Sequence, residues 1–128
     1  MDASRQQPNI LYAEDDQSIA ELYARSLRSA GYDVTIERDG TKALALGRSD
    51  KYDILLLDIM LPSLSGLDIL KKLRELDKPI RAKIIITTNL EQQGSTRQAI
   101  EKQADGYLIK ANTTPRQLVE FLSNLNLS

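Results

Sequence analysis

Cysteine and histidine are both absent from these 128 residues. The first absence excludes disulfides and thiolate metal sites, and the second excludes imidazole ligands and histidine acid/base pairs. Tryptophan is missing too, and aromatic residues make up only 5% of the chain. No apolar run approaches the roughly 18 residues that a membrane-spanning helix needs. An excess of either charge is also lacking, with 17 Lys and Arg against 18 Asp and Glu. That balance argues against direct nucleic-acid binding and against attachment to an anionic membrane surface. A soluble cytoplasmic protein is expected, and its chemistry must rest on Asp, Glu, Lys, Ser, Thr or Tyr.

What the chain does have is an apolar share of 41%, enough at this length for one core and too little for two. Met1–Pro8 is polar and is set aside as an N-terminal segment, leaving residues 9–126 as one domain. Asn9 to Ala13 is an apolar run that stops at Glu14, Asp15 and Asp16, which predicts a buried strand with a charged end. Ile19, Leu22, Tyr23, Leu27 and Ala30 then recur at helical spacing, with Gly31 placed to cap the helix and Asp16 placed at its start. Tyr32 to Glu37 reads as a second strand, and Asp39-Gly40 as the turn and N-cap before a helix through Ala43, Leu44 and Leu46. Ile54 to Leu57 is uniformly apolar, as in a central parallel strand covered on both faces, and stops at Asp58.

The pattern continues to the end. A loop with Pro62 and Gly66 leads to a helix with Leu67, Leu70 and Leu73, whose Lys71-Lys72-Leu73-Arg74 run reads as a solvated face. Lys83 to Thr88 gives a fourth strand, about Gln92 to Gln103 a weaker helix, and Tyr107 to Lys110 a fifth strand. Thr114, Pro115 and Gln117 form a capping box with proline at the first position, ahead of Leu118, Val119, Phe121, Leu122 and Leu125. Five alternating strand and helix pairs predict an α/β fold, a doubly wound parallel sheet with helices on both faces. Sites in such sheets form beyond the carboxyl ends of the strands. The groups there are Glu14, Asp15 and Asp16, then Asp58, then Thr87 and Thr88, then Lys110.

Carboxylates crowded at the end of a buried strand repel one another unless a cation joins them. With only oxygen ligands available, that cation is a hard ion such as magnesium. Asp58 is then the carboxylate able to attack phosphorus, while Lys110 and a threonine hydroxyl bind the remaining phosphoryl oxygens. An aspartate at a strand end, taken singly, is more often a cap or a solvated turn. Here it stands among partners.

At these residues the chain resembles the receiver domains of bacterial and archaeal response regulators, over nearly its whole length. Ile10-Leu11-Tyr12-Ala13-Glu14-Asp15-Asp16 is similar to the family's first strand and acidic pair, Asp58-Ile59-Met60-Leu61-Pro62-Ser63-Leu64-Ser65-Gly66 to its phosphoacceptor loop, and Ala104-Asp105-Gly106-Tyr107-Leu108-Ile109-Lys110 to its fifth strand. The resemblance implies strand order 2-1-3-4-5, the order known for the chemotaxis receiver. It implies phosphorylation of Asp58, and a magnesium held by Glu14, Asp15, Asp58 and the Met60 carbonyl. It also implies Lys110 as the phosphate-binding lysine, and Thr88 and Tyr107 as switch residues. Thr88 rather than Thr87 is selected by the family's spacing from both Asp58 and Lys110. Asn89, Met60 and Leu90 flank access to the phosphate, and the apolar Met60 and Leu90 would slow hydrolysis.

The implied partners are a sensor histidine kinase or phosphotransfer protein and a downstream protein target, with the domain monomeric or a weak phosphorylation-dependent dimer. Only Asn126, Leu127 and Ser128 follow the last helix, so the expectation is a domain without its own output module or one cut from a longer protein. Three departures stand out: Asn89 where a small residue is usual, Ala111 where proline is usual, and Gln103 where glycine is common. Asn89 and Ala111 favour the alternative reading, an interaction module that keeps the fold without phosphorylation. Ala111 also predicts a trans Lys110–Ala111 bond, because a non-proline cis bond costs roughly 3 kcal/mol. A flavodoxin-type carrier fits poorly, because three acids stand where a phosphate-cradling loop would be needed. An aspartyl phosphatase would carry a second acid where Met60 stands.

Overall fold

Ile54–Leu57 fixes the middle of the molecule. All four side chains are fully buried although they alternate between the two faces of the sheet, so both faces must be covered. The computed structural model describes residues 7–89, 91–125 and 127. Most of the Met1–Pro8 segment, together with Leu90 and Asn126, therefore lies outside the described residues. The strands are β1 (Asn9–Ala13), β2 (Asp33–Glu37), β3 (Ile54–Asp58), β4 (Lys83–Thr88) and β5 (Gly106–Ile109). Between and after them run α1 (Gln17–Ser29), α2 (Gly40–Arg48), α3 (Gly66–Arg74), α4 (Gly94–Gln103) and α5 (Pro115–Ser123). All pairings are parallel, in the expected order β2-β1-β3-β4-β5.

Alternation along the strands divides the core in two. Ile10, Tyr12, Ile54, Leu56 and Ile85 pack with Ala20, Tyr23, Ala24 and Leu27 of α1 and with Leu118 and Leu122 of α5. Leu11, Leu55, Leu57, Ile84 and Ile86 face α2, α3 and α4 through Ala43, Ile69, Leu70, Leu73 and Ile100. Fully burying an aliphatic side chain contributes about 1.5–3 kcal/mol, so the central strands hold the domain and the loops at their carboxyl ends are left to vary.

Helix starts follow the sequence signals closely. Asp16 accepts from the Ile19 N–H, Asp39 from Lys42, Ser65 from Asp68, and Thr114 forms the full capping box with Gln117. Gly31 has φ +102°, the left-handed conformation expected of it. Helix α4 begins at Gly94 rather than near Gln92, because Gly94 sits at φ +62° and Gln93 offers no side-chain cap. The Lys71–Arg74 run is not wholly solvated. Arg74 Nε donates to the Gln103 carbonyl at 2.7 Å and its guanidinium pairs with Asp105 at 3.1 Å, bracing α3 against the end of α4.

Two close approaches set the loop after β3. The Gly66 N–H donates to the Ile59 carbonyl at 3.0 Å, and a Cβ on Gly66 would stand 2.2 Å from the Asp58 carbonyl oxygen. The loop thus returns on itself directly behind Asp58. Since the obstacle is backbone, Gly66→Ala should cost about 3 kcal/mol, the upper end for overpacking. Urea denaturation measures this, and a loss below about 0.5 kcal/mol, the range of an ordinary surface change, would show that the loop has room.

Candidate functional site: a lysine between two carboxylates at the sheet end

Sheet order reverses between β1 and β3, and the crevice at their carboxyl ends is where α/β sheets take ligands. Glu14 follows β1 and Asp58 ends β3. The apolar register Ala13 opposite Leu57 carries both carboxylates to the same edge. Lys110 follows β5, two strands away, and its long side chain reaches back between them. Its Nζ donates to Glu14 Oε1 at 2.6 Å and to Asp58 Oδ2 at 3.0 Å. The three side chains are 2%, 4% and 8% exposed for Glu14, Asp58 and Lys110 respectively. The other oxygens are also engaged: Asp58 Oδ1 accepts from the Met60 N–H at 3.1 Å, and Glu14 Oε2 from the Asp16 N–H at 3.2 Å.

Burial disfavours the ammonium, but its hydrogen bonds to Glu14 and Asp58 outweigh that and hold the Lys110 pKa above its ordinary value. Glu14 is also raised. Burial and the neighbouring Asp58 charge act upward against the pull of Lys110. Tyr12, in β1 beneath them, has its hydroxyl 3.5 Å from Glu14 Oε1, and burial followed by the Glu14 charge pushes its pKa up. Sequence reasoning passed over Tyr12, since a tyrosine inside an apolar strand reads as packing.

Thr87 and Thr88 point to opposite faces. Thr87 faces α1 and α5 in a cavity of about 10 Å³ with Tyr12, Tyr23 and Lys110, room for about one water, and its buried hydroxyl has no partner among the described residues. Thr88 faces the α3 and α4 side, as Tyr107 does, and its Oγ1 lies 3.4 Å from Gln92 Nε2. The Tyr107 hydroxyl accepts from the Gln92 backbone N–H at 2.8 Å, and the Arg97 guanidinium lies 5.0 Å from the Tyr107 ring centroid. Gln92 and Arg97 lie in the weakly patterned segment around α4, where periodicity singled out neither.

The remaining expected residues lie at the rim. Asp15 and Asn89 are exposed, and Met60 is 71% exposed. Leu90 is outside the described residues. Arg38 Nε donates to the Asp15 carbonyl at 3.0 Å, tying the acidic loop to the start of α2. The described residues contain no cis peptide, and Lys110–Asn112 forms a 3-10 turn, so Ala111 leaves Lys110 on Asp58. As arranged, no three acidic side chains cluster closely enough among the described residues to cage an ion. The donor set nevertheless fits a hard divalent cation, since Glu14 and Asp58 present only carboxylate oxygens and their two charges are met by a single ammonium.

A buried lysine joining carboxylates from two strand ends, on a five-stranded 2-1-3-4-5 sheet, defines a doubly wound protein with its site at the topological switch point. The model of the response regulator receiver domain family matches residues 10–123, and the chain belongs to that family, the receiver domain of two-component response regulators. Receiver domains generally bind magnesium at their phosphorylation site. The chain is 35% identical over 120 residues to the uncharacterized transcriptional regulatory protein YkoG of Bacillus subtilis, covering 91% of this chain and 49% of the relative. It is 36% identical over 119 residues to the DNA-binding response regulator MtrA of Mycobacterium tuberculosis, covering 93% and 50%. The receiver domain of Francisella response regulator 1452 superposes with a TM-score of 0.81 at 30% identity, covering 91% of this chain and 94% of that one.

These relatives correct the expected partner set, in which a kinase and a protein target were named and nucleic acid was ruled out. MtrA is named as DNA-binding, and the chain spans about half the length of the curated relatives it matches. The balanced charge of these 128 residues is therefore no argument against DNA as a partner. Among the described residues, no helix is long and apolar enough to cross a membrane.

Removing the ammonium leaves two buried carboxylates facing each other. Lys110→Met should therefore lower stability near neutral pH by roughly 3–5 kcal/mol, and magnesium should restore part of the loss. In the wild type, the Lys110 and Tyr12 pKa values lie above their ordinary 10.5 and 10.0. The folded state then holds protons that the unfolded state releases, so the contribution of these two groups is full below about pH 10 and declines as pH rises through the folded values. Denaturant midpoints with and without magnesium, from pH 7 to 11, measure both effects, and a neutral Lys110→Met would show that the lysine does not hold the acids together.

Proposed function

We propose that Asp58 accepts a phosphoryl group from a phosphohistidine and that magnesium assists the transfer. The observation that carries this reading is the Lys110 ammonium bonded at 3.0 Å to a buried Asp58 carboxylate. A bound magnesium would supply positive charge to the phosphoryl oxygens, with Glu14, Asp15, Asp58 and the Met60 carbonyl as its holders. Asp58 attacks phosphorus with one carboxylate oxygen; the new O–P bond forms as the P–N bond to the donor imidazole breaks. Lys110 keeps its place and binds a phosphoryl oxygen, and Thr88 turns its hydroxyl to another. Little acid/base work is required, so the absence of histidine costs the reaction nothing. In this reading the chain catalyses only its own phosphorylation and dephosphorylation, and it works in the cytoplasm with residues 9–126 as the acting unit.

Acetyl phosphate with magnesium should add a single phosphoryl mass to the wild type and none to Asp58→Asn, as intact mass spectrometry would record. An unmodified wild type, or an equally modified Asp58→Asn, would favour the phosphorylation-independent module instead. Loss of the group should be slow, because the exposed thioether of Met60, two residues after the acceptor, cannot orient an attacking water. Met60→Asn supplies one hydrogen bond, worth roughly 0.5–1.5 kcal/mol, so phosphate release after donor removal should quicken by about 2- to 13-fold. An unchanged rate would show that position 60 does not govern access.

A further inference from the structure

We propose that Gln92 is the joint between Thr88 and Tyr107, a positioning residue through which the state of Asp58 reaches the α4–β5 surface. This rests on the phosphoacceptor reading above. Thr88 and Tyr107 share a face of the sheet but are not opposite each other, since Thr88 pairs with Ile109 and Tyr107 with Ile86. One bonded route between them runs through Gln92. The Gln92 side-chain amide donates to Thr88 Oγ1 at 3.4 Å, and the Gln92 backbone N–H donates to the Tyr107 hydroxyl at 2.8 Å. Both donors belong to one residue, so a pull on the side-chain amide has a covalent path to the backbone N–H. If the Thr88 hydroxyl turns toward a phosphoryl oxygen on Asp58 and the amide follows it, residue 92 is drawn along and the N–H that holds Tyr107 moves with it.

The surroundings suit such a transmission. Helix α4 begins two residues later at Gly94, with φ +62° and no side-chain cap, so its first turn resists displacement weakly. Arg97 in that first part of α4 lies over the Tyr107 ring and pairs with Glu91 and Glu101 at 3.9 and 3.6 Å, so a displaced ring disturbs charged groups at the surface. The coupling is therefore by hydrogen bonds through residue 92, and a ring simply filling space left by Thr88 is not required.

Gln92→Met keeps the length of the side chain and the backbone N–H but removes the donor to Thr88. The full chain is titrated with beryllofluoride and magnesium while the Thr88 methyl, Tyr107 ring and Arg97 Nε signals are followed by NMR. In the wild type all three should move together. In Gln92→Met the Thr88 shift should persist while the Tyr107 and Arg97 shifts fall by more than half. An undiminished Tyr107 response in the variant overturns the joint alone. Loss of the Thr88 response as well would place Gln92 in the phosphate site and also overturn it. A wild type in which neither Thr88 nor Tyr107 responds overturns the switch reading itself, and the joint with it.

Discussion

The Lys110 ammonium between Glu14 and Asp58 is the interaction on which the rest of the structure depends. Two buried carboxylates on adjoining strand ends would repel each other across the crevice, and no other cation among the described groups is hydrogen-bonded to them. The strands bring the acids together for reasons of apolar packing alone, so the electrostatic problem arises from the core and is solved from β5. The same arrangement suits the phosphoryl site proposed at Asp58. A lysine already held against an aspartate would have little reorganisation left to undergo if that aspartate became an acyl phosphate. The raised Lys110 pKa keeps that charge present throughout the neutral range.

Much of this was legible in the sequence, and the reasons are local. Ile54–Leu57 could hardly be anything but a covered central strand, and caps at Asp16, Asp39 and Thr114 stand where side-chain oxygens precede apolar helices. The acids, Asp58 and Lys110 were readable because each interrupts an apolar strand at its end. Residues that act through backbone atoms or across irregular segments were not. Gln92 meets Tyr107 with its main-chain N–H, which no side-chain pattern encodes, and Tyr12 hides a polar contact inside an apolar run. Arg74 shows a related limit: in a run of basic residues, periodicity cannot tell which one turns inward to bind a carbonyl.

The nucleic-acid expectation failed for a different reason. Net charge is a property of the chain in hand, whereas the DNA-binding named for MtrA belongs to a protein about twice as long. Fold and family make this chain a receiver domain, with its carboxylates and lysine gathered at one sheet edge. The α4–β5 side is suited to the response proposed for it because α4 buries only Ile100 and rests on few apolar contacts, while α1 and α5 are held more firmly.

The account stands or falls on the identity of the acceptor atom. Acyl phosphates are reduced by borohydride, which converts a phosphorylated aspartate to homoserine and leaves a free carboxylate untouched. Treating the chain with acetyl phosphate and magnesium, trapping with borohydride and sequencing the peptides by mass spectrometry should place homoserine at position 58 and nowhere else. Homoserine at Asp15 or another acid, or none at all under conditions that phosphorylate other receivers, would contradict the account.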